Sequence, residues 1–419
     1  MKPLDKVVCP HCWHQFRPTE ILWIARHQDL VGDPVAGPSA FIRFRATRFD
    51  VDGAALDARG LACDAMACPA CHLPVPRAML ENNSFIFALI GIPASGKSYY
   101  LATMSWELRR LLPRHFAIAF NDADPLSNLV LNEAEKSLFL TDDPDELVAL
   151  AKTEMEGEMY DRVHMDGQSV MLPHPFFFTL RPTGHHPAAD TMSDASRILC
   201  FYDNAGEHFQ PGQDSATSPA TQYLAQARVF LFLFDPTQDS RFRERCRAFS
   251  NDPQLRIRRA AERQDAVLTE AALRIRTYGR LSAHCKLNKP LLVLVAKADV
   301  WGRMIDEDLH DEPILASHNN DGQLAQVDMA RIEEMSIKVR SLLMEHSPEF
   351  VTAAEDGFQY VRYIPISALG TSPNLRDPDG PLMIRPKQLS PRWVTTPLLY
   401  AFAKWSTGLI SSRCDASSE

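Results

Sequence analysis

The chain has 419 residues, 45% of them hydrophobic and 23% charged, which is typical of a globular protein with a large core and room for a second, smaller domain. A formal net charge of -9 argues against a broad basic surface for nucleic acid, and no apolar run approaches the roughly 20 residues that span a bilayer. The N-terminus also lacks the apolar stretch of an export signal. We therefore expect a cytoplasmic protein with no membrane span and no nucleic-acid partner.

Two cysteine knuckles lie in the first 80 residues, which we interpret as a zinc-ribbon-like domain. The four cysteines are Cys9 and Cys12 in "CPHC" and Cys68 and Cys71 in "CPAC". Each Cys-x-x-Cys turn points two sulfurs at one metal, so two such turns supply the tetrahedral set that zinc prefers. A closed four-sulfur site would serve as a scaffold or in partner docking, not in catalysis.

Residues 13–67 separate the knuckles by more than a zinc ribbon usually does, so we expect them to fold out as a hairpin that includes "FIRFRATRFDV". The alternative to a zinc site is a set of thiols without metal. Four further side chains are near enough in sequence to act as ligands but are interpreted as bystanders: His11, His14, Cys63 and His72.

From residue 81 to 412, apolar strands alternate with helical segments, which predicts an α/β fold with a mostly parallel sheet and helices on both faces. The predicted strands are "FIFALI", "HFAIAF", "PFFFTL", "RILCFYD", "ARVFLFLFD", "PLLVLVAKAD" and "YVRYIPISAL". Helical insertions are expected at about 121–170, including "PDELVALAK", and at 236–289. The apolar spacing of "VDMARIEEMSIKVRSLLMEH" predicts a core-facing helix, and "TTPLLYAFAKWSTGLI" predicts a last helix packed on the sheet.

The segment "GIPASGKS" follows the first predicted strand and has the spacing of a phosphate-binding loop. In such a loop, backbone N–H groups and a helix N-terminus meet phosphate oxygens, the lysine spans the outer phosphates and the serine hydroxyl binds magnesium. The predicted nucleotide-binding residues here are Gly91, Ala94, Ser95, Gly96, Lys97 and Ser98.

Two aspartates, Asp203 and Asp235, end apolar strands and compete for the magnesium-side role. Gly206 follows Asp203 at the spacing where a backbone N–H can bond a γ-phosphate and sense its loss. We therefore assign magnesium to Ser98 and Asp203 and interpret Asp235 as a strand-end cap or supporting acid. Lys97, Asp203, Gly206 and Glu207 form the predicted catalytic set.

The base is expected at the ends of the last two strands. In "AKAD", Asp299 can accept hydrogen bonds from N1 and the exocyclic amine of guanine, while the stem of Lys297 covers the ring. In "SALG", Ser367 and Ala368 place a backbone N–H near the guanine O6. Adenine cannot offer the donors that such an aspartate reads, so the motifs together predict GTP and GDP as ligands.

With these motifs in this order over residues 85–370, the chain resembles GTPases of the translation-factor-related P-loop class. Within that class it is most similar to bacterial double-GTPase proteins of predicted conflict and defence systems, because "CPACHLPVP" leads into "GIPASGKSYYLATM". Ala296 departs from the class asparagine, which removes a bond to the phosphate loop, and Glu207 stands where a water-orienting glutamine is common. Thr153 is the candidate first-switch threonine, although an ordinary helix-end threonine is the alternative.

The resemblance implies a GTP-hydrolysing molecular switch that uses GTP/GDP, Mg²⁺ and Zn²⁺ and engages a protein partner in a bacterial conflict or signalling system. The alternatives are a P-loop kinase and a noncatalytic GTP-dependent scaffold. Arginines of the second insertion are interpreted as solvated helix faces, with a docking surface or an arginine that reaches the phosphates as the other readings. Because the knuckles precede the nucleotide domain, loss of zinc is expected to leave GTP binding intact.

Overall fold

The computed structural model describes residues 4–150, 159–191, 195–203, 209, 221–256, 263–305, 309–315, 324–375 and 382–413. Its centre is a seven-stranded sheet whose strands, in chain order, are β1 (Asn83–Ile90), β2 (Ile118–Asp122), β3 (Phe176–Pro182), β4 (Arg197–Tyr202), β5 (Val229–Phe234), β6 (Leu291–Val295) and β7 (Val361–Pro365). The spatial order is β2-β3-β4-β1-β5-β6-β7. β1 is parallel to β4 and β5, and parallel pairing continues through β6 to β7, whereas β3 is antiparallel to β2 and β4. The mostly parallel α/β sheet is therefore confirmed.

The position of β1 in this order fixes where a ligand can bind. Strands β5 and β6 are buried at every residue, as expected when a parallel sheet is covered on both sides. The chain places β2 to β4 on one side of β1 and β5 to β7 on the other. Open α/β sheets bind ligands beyond the carboxyl ends of the strands at such a reversal. A ligand is therefore expected to bind at the segments after β1, β4, β5, β6 and β7.

The described helices are α1 (Ala78–Glu81), α2 (Lys97–Phe116), α3 (Leu129–Phe139), α4 (Ser240–Cys246), α5 (Gln264–Tyr278), α6 (Ala298–Trp301), α7 (Met329–His346), α8 (Pro348–Gly357) and α9 (Thr396–Trp405). The amphipathic prediction for α7 is confirmed, because its spaced apolar side chains are buried. Helix α9 packs on the sheet as predicted: the Phe402 ring lies edge-on to Phe85 and Phe87 of β1 at 6.2 Å from each. None of the described helices is long and apolar enough to cross a membrane.

The first insertion is less helical than predicted. Its described residues contain α3 and then a hairpin of Tyr160–Met165 with Gln168–Pro173. The "PDELVALAK" prediction is wrong over the described residues 144–150, which are irregular. Val148 instead exchanges two main-chain hydrogen bonds with Ile384, at 2.9 and 2.8 Å. So short a helix gains little from propensity alone, and pairing with a distant segment satisfies the backbone instead.

The second insertion is helical as predicted and contains α4 and α5, joined in part by a 3₁₀ turn at Pro253–Leu255. Asp239 caps α4 by accepting hydrogen bonds from the backbone N–H groups of Arg241 and Phe242. The Arg241 side chain pairs with Glu349 and Arg263 pairs with Asp265, both on the surface. These two arginines therefore match the reading of solvated, ion-paired faces.

The segment between the knuckles folds as several short strands and not as the single hairpin predicted. One hairpin pairs Val31–Asp33 with Gly37–Phe41, and a second pairs Ala55–Leu56 with Ala62–Cys63. In a third, three-stranded sheet, Leu22–Ile24 pairs with Arg43–Phe44 and with Met66–Ala67. The Met66–Ala67 strand leads directly into the second knuckle, so this small sheet brings the two knuckles together. The domain boundary at residue 80 stays a prediction.

Candidate nucleotide site and metal centre

The loop between β1 and α2 has the tight geometry of a cradle. Gly96 caps α2 with a positive φ of 100°, a conformation that favours glycine. A Cβ atom at Gly91 would lie 3.0 Å from the Leu233 carbonyl oxygen and 3.0 Å from Ser95 Oγ. Glycine at 91 thus lets the loop approach β5, and Ala94 adds a further positive φ of 56°.

Two polar side chains, one in this loop and one at the start of α2, fit a phosphate group. The Lys97 ammonium is buried and donates to the carbonyl oxygens of Gly91 at 3.0 Å and Ile92 at 3.1 Å. Ser95 Oγ is buried and has no hydrogen-bond partner among the described residues. A buried hydroxyl without a partner is costly, and phosphate oxygens would satisfy it. The loop therefore holds a cation and an available donor next to the N-terminus of α2, where anions are favoured.

Ser98 and Asp203 meet although 105 residues separate them. Ser98 Oγ donates to Asp203 Oδ2 over 2.7 Å. The parallel register of β1 and β4, which pairs Ala88 with Tyr202, brings the strand ends to the same edge. A hydroxyl and a carboxylate are the hard oxygen ligands that Mg²⁺ takes in nucleotide sites. Gly206, Glu207 and Thr153 lie outside the described residues, and their roles stay predictions.

Asp235 at the end of β5 is fully buried and acts on the protein itself. Its carboxylate accepts from the Thr237 N–H at 2.9 Å, the Thr237 hydroxyl at 2.7 Å and Gln238 Nε2 at 3.0 Å. It also pairs with the Lys297 ammonium at 2.6 Å. Asp235 therefore caps the end of its strand, as one of the two sequence interpretations has it. Its ion pair with the "AKAD" loop was not predicted from the sequence.

The Lys297 ammonium is bound to groups at the end of β5 and in the second insertion. Its ammonium, which has three donors, reaches Asp235 Oδ2, Thr237 Oγ1 at 3.0 Å and Gln254 Oε1 at 2.8 Å. Its backbone lies in the left-handed region, with a φ of 57°, at the start of α6. The head of Lys297 therefore joins β5, β6 and the second insertion.

Asp299 and Ser367 lie side by side at the ends of β6 and β7. The Ser367 hydroxyl donates to Asp299 Oδ1 and accepts from the Gly370 N–H at 2.9 Å. Burial raises the pKa of Asp299 above its usual range, although the Ser367 hydrogen bond acts in the opposite direction. Ala368 follows Ser367 in the same loop. The two loops are thus held together by the Ser367 side chain.

Three residues of this region were missed by sequence reasoning. Gln238 Nε2 donates to the Pro93 carbonyl at 3.2 Å and so ties the β5 turn to the phosphate loop. Such a bond would compensate for Ala296, which cannot make the tie expected of an asparagine. Gln254 holds Lys297, and Asp252, which is 1% exposed, caps the same turn with Oδ1 while its Oδ2 has no partner among the described residues. In the sequence, Gln238 is the single amide of "DPTQDS", and no local pattern marks its contact with Pro93.

The four knuckle cysteines form one cluster. Their sulfurs all lie within 4.8 Å of one another, with Cys9 Sγ 3.7 Å from Cys71 Sγ and Cys12 Sγ 3.7 Å from Cys68 Sγ. Zn–S bonds of about 2.3 Å in a tetrahedron put sulfurs roughly 3.8 Å apart, whereas a disulfide needs about 2.05 Å. The set therefore fits a zinc ion and not a pair of disulfides. Four thiolates this close together repel one another and would need a cation to balance their charge.

The two knuckles are built alike. In each, the first cysteine N–H donates to the carbonyl five residues on, at 2.9 Å for Cys9 and 3.0 Å for Cys68. In each, the residue after the second cysteine has a positive φ, 59° at Trp13 and 61° at His72. Backbone N–H groups also face Cys9 Sγ and Cys68 Sγ at 3.4 Å, as suits thiolate ligands.

Three of the four side chains interpreted as bystanders contact groups outside the cysteine cluster. His72 Nδ1 bonds Asp33 at 2.8 Å, His11 faces the carbonyls of Pro74 and Pro173, and Cys63 faces Leu61 O at 3.5 Å. The ligand set is thus limited to the four cysteines among the residues described.

No protein-family model matches the chain. The putative ESX-1 scaffolding and assembly protein SaeC of Mycolicibacterium smegmatis is 23% identical over 404 residues, covering 87% of this chain and 92% of that protein. Among solved structures, the chain is similar to the S. cerevisiae Ski7 GTPase-like domain bound to GTP, with 14% identity, a TM-score of 0.31 and 79% of this chain covered. The match spans about half, 52%, of that solved chain. A likeness this distant says nothing about activity, which has to follow from the residues of the site.

Proposed function

We propose that this chain binds GTP with magnesium and hydrolyses it slowly as a molecular switch. The observation that carries the proposal is the 2.7 Å hydrogen bond from Ser98 to Asp203, which joins the helix after the phosphate loop to the acid at the end of β4. A chance loop match would not require an acid from a strand 105 residues away to meet its serine. The adjacent ends of β6 and β7 supply the paired Asp299 and Ser367 for the base.

Each group then has one task. The loop N–H groups and Lys97 hold the phosphates, and Ser98 and Asp203 hold magnesium, which neutralises phosphate charge when bound. Asp299 accepts hydrogen bonds from guanine, while Lys297 positions that loop by holding Asp235 and Gln254. Gly206 is proposed to bond the γ-phosphate.

Slow hydrolysis is proposed because of Glu207. Phosphoryl transfer depends on orienting water and neutralising developing charge, and a carboxylate beside the γ-phosphate adds repulsion where a glutamine would be neutral. An arginine of the second insertion or of a partner would compensate, and such arginines accelerate these reactions by about 10³ to 10⁵-fold. Arg241 and Arg263 would first have to leave their surface carboxylates.

A noncatalytic GTP-dependent scaffold is the second candidate. It is favoured by the relative SaeC, whose name describes scaffolding and assembly and 92% of whose length the similarity covers. In this role the nucleotide would fix one shape of the protein for partner proteins, and turnover would be unnecessary. A bacterial assembly or conflict system and a protein partner are part of both proposals.

Nucleotide binding and single-turnover hydrolysis separate the two. Labelled GTP should bind in preference to ATP, and wild-type protein should convert bound GTP to GDP slowly. Glu207→Gln should bind equally and hold or raise the rate. No conversion in either protein, with tight GTP binding, would favour the scaffold. ATP bound as tightly as GTP would defeat the assignment of the base.

Zinc is proposed as a structural ion of the knuckles. Protein purified without chelator should contain about one zinc per chain, because the cluster supplies one tetrahedral set. Cys68→Ser should lose the metal, since three ligands hold it much less well. Cys285→Ser is the matched control, because Cys285 lies outside the cluster. Zinc-free wild-type protein in metal analysis would defeat this assignment.

A further inference from the structure

The first knuckle contacts the central sheet through a buried tyrosine. The Tyr202 hydroxyl donates to the Pro10 carbonyl over 2.5 Å, and Pro10 lies between the ligand cysteines Cys9 and Cys12. Tyr202 is fully buried, and its hydroxyl can only be the donor in this bond because a carbonyl oxygen only accepts. A main-chain atom of the metal-binding turn is thus tied to the last residue of β4.

The next residue along the chain is Asp203. Its carboxylate accepts the hydrogen bond from Ser98 at 2.7 Å. The Tyr202 ring is stacked on Tyr223, with centroids 4.2 Å apart and planes at 18°. A close-packed core leaves such a ring little room to absorb a displacement. Movement of Pro10 would therefore pass to the backbone at Asp203.

His11, in the same turn, faces two further carbonyl oxygens, and a neutral imidazole donates to one of them at a time. Its Nδ1 lies 3.2 Å from the Pro173 carbonyl and its Nε2 lies 3.0 Å from the Pro74 carbonyl. Pro173 ends the hairpin that precedes β3, and Pro74 follows the second knuckle. The turn consequently keeps one position against the sheet for as long as its own shape is kept.

We propose that Tyr202 is a positioning residue that couples zinc binding at the knuckles to magnesium–nucleotide binding at Asp203. The coupling rests on the proposed function, because it requires Asp203 to serve the magnesium of a nucleotide. Zinc fixes the turn of Cys9 and Cys12, the turn places the Pro10 carbonyl, and the Tyr202 hydroxyl transmits that placement. The knuckles therefore do not merely precede the nucleotide domain but contact it. Under this proposal, loss of zinc weakens GTP binding and does not leave it intact.

Coupling between two sites is reciprocal. If zinc strengthens nucleotide binding by a given factor, nucleotide strengthens zinc binding by the same factor. One buried hydrogen bond that is well made in only one state corresponds to roughly a fivefold to tenfold change. This factor can be measured as a change in zinc affinity, without any assay of hydrolysis.

The test uses the full-length, zinc-loaded protein and a chromophoric chelator. Zinc affinity is measured without nucleotide and with saturating magnesium and a non-hydrolysable GTP analogue. Wild-type protein should hold zinc about fivefold to tenfold more tightly with the nucleotide. Tyr202→Phe keeps the stacked ring and should bind both ligands, but its ratio should fall to about one. Tyr363→Phe, which removes another buried hydroxyl that bonds Glu355 at 3.2 Å, should keep the wild-type ratio.

The outcomes distinguish the coupling from the proposed function. Wild-type protein that binds the analogue but holds zinc equally in both states overturns the coupling alone, whether or not Tyr202→Phe folds. A wild-type ratio in Tyr202→Phe overturns the role of the hydroxyl. Wild-type protein that binds no guanine nucleotide overturns the proposed function, and the coupling falls with it.

Discussion

Two lysines of the proposed site are held in opposite ways. At the phosphate end, Lys97 lies against carbonyl oxygens of its own loop, Gly91 and Ile92, which phosphate oxygens can replace. At the base end, Lys297 is bound to the buried carboxylate of Asp235 and to Gln254 of the second insertion. Phosphate oxygens can take the place of loop carbonyls at a lysine, whereas a lysine paired with a buried acid is part of the structure. The phosphate end is thus arranged to bind and the base end to hold its own loops together.

The largest effect should come from Lys97→Ala. The loop would keep its N–H groups but lose the cation that meets the outer phosphates, so GTP affinity should fall by at least about 100-fold. Equilibrium binding of labelled GTP measures it. Lys338→Ala is the matched control, because Lys338 pairs with Glu334 on the α7 surface. Unchanged GTP binding by Lys97→Ala would contradict the claim that the phosphate end is arranged to bind.

Asp299→Asn should come next and should change the base preference, not the affinity for phosphates. The carboxylate accepts from guanine donors, and an amide offers a donor to the extra carbonyl of xanthine, so the ratio of GTP to XTP affinity should fall by about 100-fold or more. Competition with both nucleotides gives the ratio. A variant that loses both nucleotides equally would mean that Asp299 supports the loop and does not read the base.

Gln238→Ala should have a smaller effect, because it removes the bond between the β5 turn and Pro93 and one hydrogen bond to Asp235 but no charged partner. We expect GTP to dissociate about five to ten times faster, the size of one net hydrogen bond. Asp235 would keep its ion pair with Lys297 in this variant. Stopped-flow release of a fluorescent nucleotide measures the rate, and Gln254→Ala, which affects Lys297 but not Pro93, sharpens the contrast. Release at the wild-type rate would show that the loop needs no replacement for the missing asparagine.

The smallest effect at neutral pH is the change in GTP affinity caused by titration of the Asp299 carboxyl. Burial raises its pKa, and guanine binding needs the ionised form, so GTP affinity should be full above the raised pKa and fall as the pH drops through it. Without nucleotide the sign for stability is opposite: the native state binds this proton more tightly than the unfolded chain, so stability falls as the pH rises between the two pKa values. Dividing wild-type by Asp299→Asn affinities at each pH cancels titration of the nucleotide. A ratio that does not change down to pH 4 would contradict an acid group at this position.

Local patterns in the sequence determined the elements and most residues of the candidate site. The apolar runs predicted the seven strands, because the strands of a sheet covered on both faces are rich in apolar residues. The spacing of glycine, lysine and serine predicted the phosphate loop, because backbone geometry at Gly91 and Gly96 allows few residues. The short spacing within each knuckle likewise predicted the four cysteine ligands, which the structure places together.

Tertiary structure alone decided which distant groups meet. The irregular course of residues 144–150 depends on pairing with Ile384, and a local helix pattern carries no sign of it. The binding of Lys297 by Asp235 and Gln254, the reach of Gln238 to Pro93 and the bond from Tyr202 to the knuckle join residues far apart in sequence. Such contacts depend on strand order and on how side chains pack in a buried space, and a local pattern of residues predicts neither.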